Sequence, residues 1–184
     1  MSIKIHTSEI EKIRDLKCGD IVLLSGEIYT ARDAAHKRLC EALEKGEPLP
    51  FSIKDKIIYY AGPTPTKPGG IIGSCGPTTS GRMDKYAPPL LDMGLLGMIG
   101  KGERSDSVIA SVKKNRSVYF AAIGGAGALI SKAVTAVSVV CYEDLGTEAI
   151  RKLTVTDFSV TVVIDSKGNQ LCVKSSSPPM LKHL

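Results

Sequence analysis

The sequence predicts an α/β domain with mixed sheets, on three observations. Short apolar runs of strand length alternate with amphipathic stretches of helical period along most of the chain. The 18 Gly and 10 Pro cluster between those stretches, where turns are needed. The chain has 184 residues, 43% of them apolar and 23% charged, which is enough to bury one core without cross-links. No repeat, low-complexity tract or linker divides it, so residues 1–184 are expected to form a single domain.

Residues 20–31, DIVLLSGEIYTA, are rich in Ile, Val and Leu and read as a strand. Residues 32–46 read as an amphipathic helix, with Ala35, Leu39 and Leu43 on one face and Gly46 as its stop. KIIYYAG (56–62) is a buried strand. The segment 63–81 holds too much Pro and Gly for regular structure, apart from a short strand at GGIIGS (69–74). Residues 81–94 read as a helix that Pro88 and Pro89 bend or restart. LLGMIGKG (95–102) is a strand running into a glycine loop, and 105–115 a helix capped by Ser105 or Asp106. A strand (117–125), a short helix (126–134) and a strand (136–145) follow. The tail, 153–173, reads as two strands turning at Lys167, Gly168 and Asn169.

Composition excludes several classes of function. The net charge of +5 is modest and scattered, and aromatic residues are 5% with no Trp. Neither a basic stripe nor a stacking platform for nucleic acid is present. Charged residues interrupt the first thirty positions, and no apolar run approaches the ~18–20 residues of a membrane span. Five cysteines, at 18, 40, 75, 141 and 172, form no CxxC and no Cys/His cluster. A cytoplasmic protein with reduced thiols is expected.

Three stretches at strand ends carry the chemistry, where open α/β sheets place their ligands. In YTARDAAHKR, Arg32 and His36 are four residues apart and share a helix face, so a cation stands beside an imidazole. Solvated charges on a surface helix would give the same spacing. In GPTTSGRMD, Thr78, Thr79 and Ser80 precede Arg82 at the start of the expected helix. One hydroxyl suffices as a cap, leaving others for a ligand, and Arg82 can hold a carboxylate through two parallel hydrogen bonds. In MIGKGERS, Lys101 lies between two glycines, without the first Gly or the Ser/Thr of a phosphate loop. A fourth glycine cluster, GGAGA (124–128), lacks the order of a dinucleotide loop and fits helix–strand packing as well. Arg32, Arg82 and Lys101 together suit a substrate with two carboxylates. No acidic pair, cysteine triad or metal signature accompanies them.

GDIVLLSGEIYTARDAAHKR, GPTTSGRMDKY, MIGKGERS and EDLGTEAI, in this order, closely resemble the β subunit of class I fumarate hydratases. The same unit occurs as the β subunit of L(+)-tartrate dehydratase and as the C-terminal domain of single-chain class I fumarases. The resemblance extends over residues 20–171. It implies a swivelling β/β/α domain and a separate α subunit or N-terminal domain carrying a [4Fe–4S] cluster, whose open iron is a Lewis acid. It further implies that Arg32 binds a substrate carboxylate, that His36 is an active-site residue, and that Thr78 is a catalytic base or its partner. Arg82 and Lys101 occupy the motif's arginine and lysine positions. Cys75 falls where the motif requires no cysteine, and it is not expected to be a cluster ligand.

The expected function is that of the β subunit of a heteromeric hydro-lyase. It would catalyse reversible hydration of fumarate to (S)-malate, with catalytic residues His36 and Thr78 and binding residues Arg32, Arg82 and Lys101. An α subunit, a homo-oligomeric or α2β2 assembly, and neither nucleic acid nor membrane are the expected partnership. L(+)-tartrate dehydration to oxaloacetate is the alternative reaction. A non-catalytic anion-binding module is a third reading.

Overall fold

The computed structural model describes residues 2–122 and 127–171. It is mixed α/β, with strands in the order β1-β2-β3-β4-β5-β7-β6 and a further pairing of β2 with β7. The strands are β1 (Ile3–His6), β2 (Ile21–Thr30), β3 (Ile57–Tyr59), β4 (Gly97–Gly100), β5 (Val118–Ala121), β6 (Val134–Cys141) and β7 (Ile150–Ile164). The helices are α1 (Ile10–Arg14), α2 (Asp33–Glu44), α3 (Ala87–Asp92), α4 (Asp106–Asn115) and α5 (Gly127–Lys132). Two 3-10 turns, Ser80–Met83 and Glu143–Glu148, complete the described elements.

β2 to β5 run parallel, and β7 is antiparallel to both β2 and β5. Because β7 pairs with each end of that parallel set, β2, β3, β4, β5 and β7 form a closed ring. Alternation along the strands divides their side chains between two cores. Ile57, Tyr59, Ile99, Val118 and Phe120 join Leu153, Phe158 and Val162 in one. Ile58, Met98 and Tyr119 face the other, packed by Leu39 of α2, Leu90 of α3 and Val108 of α4. Both faces of the parallel strands are therefore buried, which explains their near-continuous apolar sequence.

Four local expectations change. GGIIGS (69–74) forms no strand, since its four Gly and Ser residues give little side-chain packing to hold one. The helix expected at 81–94 is split into the first 3-10 turn and α3. Pro88 and Pro89 lie in the first turn of α3, where a missing N–H costs no helical bond. The tail is one strand of 15 residues, β7, and beyond it a single bridge joins Ile164 to Gln170. The turn between these follows the sequence reading, with Asp165 accepting from the Lys167 and Asn169 amides. Finally, β1 and α1 were not anticipated in the charged first twenty residues. Most of GGAGA (124–128), and Cys172, lie outside the described residues.

Candidate functional site

The carboxyl ends of β2, β3 and β4 lie side by side, and the five residues singled out by motif stand there. β2 ends at Thr30 and delivers Arg32 as the residue preceding α2. β3 runs on to Tyr60, whose carbonyl accepts the Thr78 amide at 2.7 Å. β4 delivers Lys101, whose amide donates to Thr78 O at 3.3 Å and whose carbonyl accepts from Ser80 N at 2.8 Å. A segment from a loop is thereby stitched between two strand ends. Its close approach requires Gly100, because a Cβ there would collide with the Ser80 hydroxyl.

The arginines already hold carboxylates. Arg82 donates from Nε and Nη2 to the two oxygens of Asp33, at 3.1 and 2.8 Å. Arg32 Nη2 lies 3.8 Å from Asp33 Oδ2 and 3.6 Å from Glu148 Oε1. Burial would raise the Asp33 carboxyl. The Arg82 hydrogen bonds, its own backbone N–H and the two guanidinium charges outweigh burial and hold it below its usual range. Glu148 reaches across from the second 3-10 turn, and its Oε2 accepts the Ala34 amide at 2.8 Å. A carboxylate thus sits at the start of α2, where unpaired N–H groups favour negative charge. Gly62 makes room for Arg32, since a Cβ would lie 2.9 Å from its Nη1.

His36 is fully buried. Its Nδ1 lies 2.8 Å from Arg32 O, so Nδ1 carries the proton and Nε2 is the bare acceptor, with no hydrogen-bond partner. The ring stands edge-on to Tyr60, centroids 5.2 Å apart. Burial, aided by the Arg104 charge and opposed by the Arg32 carbonyl, lowers its pKa to about 4. The imidazole is therefore neutral at physiological pH.

None of the three hydroxyls caps the turn that follows them. Thr79 is its N-cap residue but makes no side-chain cap bond. Ser80 is buried, with Oγ 2.9 Å from the Tyr119 hydroxyl. The Thr78 hydroxyl makes no hydrogen bond among the described residues. The sequence reading passed over four further participants: Asp33, Glu148, Arg104 and Tyr119. Asp33, Arg104 and Glu148 lie inside the motifs ARDAAHKR, MIGKGERS and EDLGTEAI. The available signal was the Arg-Asp dipeptide at 32–33 and the second basic residue of GKGER.

The described residues do not fit an iron–sulfur cluster. No group of three or more His, Cys, Asp or Glu among them could hold a metal ion. Cys40 and Cys75 are separately buried, and burial raises their thiols to about 11 and about 12. No described helix is long and apolar enough to cross a membrane.

Comparison with known proteins places this geometry in a family. A family model described as the fumarase C-terminus matches residues 1–175. Fumarate hydratase 2 of Leishmania major is 38% identical over 181 residues, covering 95% of this chain and 32% of that protein. The aerobic class I fumarate hydratase of Escherichia coli K12 is 44% identical over 148 residues, covering 79% and 27%. The putative L(+)-tartrate dehydratase subunit beta of Methanocaldococcus jannaschii is 38% identical over 165 residues, covering 86% and 85%. The chain thus spans about a third or less of the fumarate hydratases it matches, and most of the tartrate dehydratase subunit. The chain belongs to the fumarase C-terminus family.

Proposed function

We propose that this chain is the β-type component of a class I hydro-lyase that reversibly hydrates fumarate to (S)-malate. The observation that carries this reading is the meeting of Arg32, Arg82, Lys101 and Thr78 at the ends of three parallel strands. Two guanidinium groups and an ammonium suit two carboxylates. Arg82 spends Nε and Nη2 on Asp33, which leaves Nη1 to donate to substrate. The Lys101 ammonium has no ion-pair partner among the described residues and is assigned to the second carboxylate.

Thr78 is assigned to the proton at the substrate's C3, because its hydroxyl is uncommitted while its backbone is fixed on both sides. His36 is assigned as the second proton-transfer residue, with its tautomer set by the Arg32 carbonyl and Nε2 as acceptor. The [4Fe–4S] cluster in this reading is carried by a partner α subunit or domain, and it supplies the Lewis acid when present. We take this chain to act as a single swivelling domain, in a cytoplasmic homo-oligomeric or α2β2 enzyme.

Dehydration of L(+)-tartrate to oxaloacetate is the second reading, favoured by the similarity to the tartrate dehydratase subunit over 85% of its length. Anaerobic co-expression with the cluster-bearing component, followed by assays on fumarate, (S)-malate and L(+)-tartrate, separates the two. Turnover of fumarate and malate is the expected result. Turnover of tartrate alone would transfer the assignment, and turnover of none would leave an anion-binding module.

A further inference from the structure

Beneath the Lys101 loop lies a buried cation that the motif reading does not use. The Arg104 side chain is wholly inaccessible, and its Nε donates to Asp84 Oδ1 at 2.7 Å. Its guanidinium sits between two tyrosine rings, 4.9 Å from the centroid of Tyr119 and 5.4 Å from that of Tyr60. The other Asp84 oxygen accepts the Ser105 amide at 2.6 Å. The Tyr119 hydroxyl lies 2.9 Å from Ser80 Oγ and 2.9 Å from Gly102 O. These contacts reach the segments that carry Thr78 and Lys101. Tyr60 holds Thr78, Ser80 follows Thr78 and Thr79, and Gly102 and Arg104 flank the loop that presents Lys101.

We infer that Arg104 and Tyr119 form a buried brace fixing the separation of Thr78 from Lys101, and that both are positioning residues for the reaction. The inference rests on the hydro-lyase reading above. Even a buried guanidinium paired as this one is with Asp84 often stabilises no more than apolar side chains of similar volume, so stability alone is a weak reason for it. Its planar fork and two aromatic faces give what an aliphatic side chain cannot, a fixed orientation of two loops relative to each other. Burial raises the Tyr119 phenol to about 12, so its proton is retained across the working pH range.

Tyr119→Phe is the discriminating variant, because it keeps the ring over Arg104 and removes only the hydroxyl. In the enzyme reconstituted with its cluster-bearing component, kcat should fall roughly ten- to hundred-fold, the scale of a small misplacement. KM should change less than about threefold, because the carboxylate-binding groups remain. Ser80→Ala combined with Tyr119→Phe should cost no more than the larger single change, since both break one connection. Amide hydrogen exchange on the full chain supplies an arm independent of activity. Exchange at Ser80 and Lys101 should speed up in Tyr119→Phe, while amides of β2 and β7 stay as protected as before. A variant with wild-type kcat and wild-type exchange at these two amides overturns the brace. Faster exchange with unchanged kcat makes Tyr119 structural only and overturns the positioning role. A wild-type enzyme inactive on fumarate and tartrate alike defeats the functional reading, and exchange still decides the brace.

Discussion

Thr78 is held by its backbone on both sides, yet its hydroxyl is unclaimed among the described residues. Thr78→Ala should therefore lower kcat by roughly 10²–10⁴-fold, the usual share of acid–base catalysis. Stability should change by less than the ~1 kcal/mol of a lost cap, because this hydroxyl caps nothing. Kinetics of the reconstituted enzyme beside a thermal melt check both, and Thr78→Ser should keep much of the rate. Arg82→Lys retains the charge but loses the fork seen on Asp33, and an ammonium cannot reproduce two parallel bonds. A loss of about 2–4 kcal/mol in kcat/KM is expected, with folding intact by circular dichroism. His36 makes its own prediction about pH. With a folded pKa of about 4 against an ordinary 6.5, the unfolded chain binds a proton between those values that the folded chain refuses. Stability is then full above about pH 6.5 and declines as pH falls to about 4, by about 3 kcal/mol in total. Urea unfolding from pH 7 to pH 4 tests this, and His36→Leu should flatten the slope. The lowered Asp33 carboxyl acts in a more acidic window, since its ordinary pKa is 3.8.

The strand ends and the 3-10 turn meet without slack, and Gly100 shows how little. Gly100→Ala would set a methyl against the Ser80 hydroxyl and 3.0 Å from a Tyr60 ring carbon. A cost of about 1–3 kcal/mol is expected from such overpacking, read as a lowered melting temperature. Ser80→Ala in the same chain should recover part of it. How much of this was legible beforehand follows from the range of each signal. β2 and α2 were read within two residues because period and a terminal glycine are local marks. β1 was hidden because its alternation, IKIH, runs for only four residues beside a charged stretch, too short a signal to stand out. β7 was read without its first three residues because Ile150, Arg151 and Lys152 mix apolar and charged character. The sequence marks the arginines for substrate carboxylates, whereas the carboxylates beside them in the structure are the protein's own. That the carboxylate holding Arg82 is Asp33, 49 residues away, depends on two elements meeting in space. The expectation that one of the three hydroxyls caps the turn fails for a similar reason. Ser80 turns inward to Tyr119, 39 positions later, and no local pattern carries that.

At the scale of the molecule, the candidate site gathers Arg32, Arg82 and Lys101 beside Asp33 and Glu148, and the cluster chemistry belongs elsewhere in the proposed enzyme. The chain purified alone under anaerobic conditions should be colourless, bind no stoichiometric iron and fail to hydrate fumarate. Adding the cluster-bearing component should restore both the absorption and the activity. A brown, active preparation of this chain alone would refute the division of labour. The closed ring has a consequence for how the molecule is made. Synthesis proceeds from the amino end, so β2 to β5 emerge from the ribosome well before residues 150–164. Until then the outer edges of β2 and β5 have no β7 to pair with, and the apolar side of each strand has no facing wall. Such long-range closure folds slowly, and unpaired edges invite association with other chains. The nascent protein is thus most exposed just before β7 arrives. A chain stopped at residue 149 should accumulate as aggregate or chaperone-bound material, while one that includes Ile164 can shut the ring on itself.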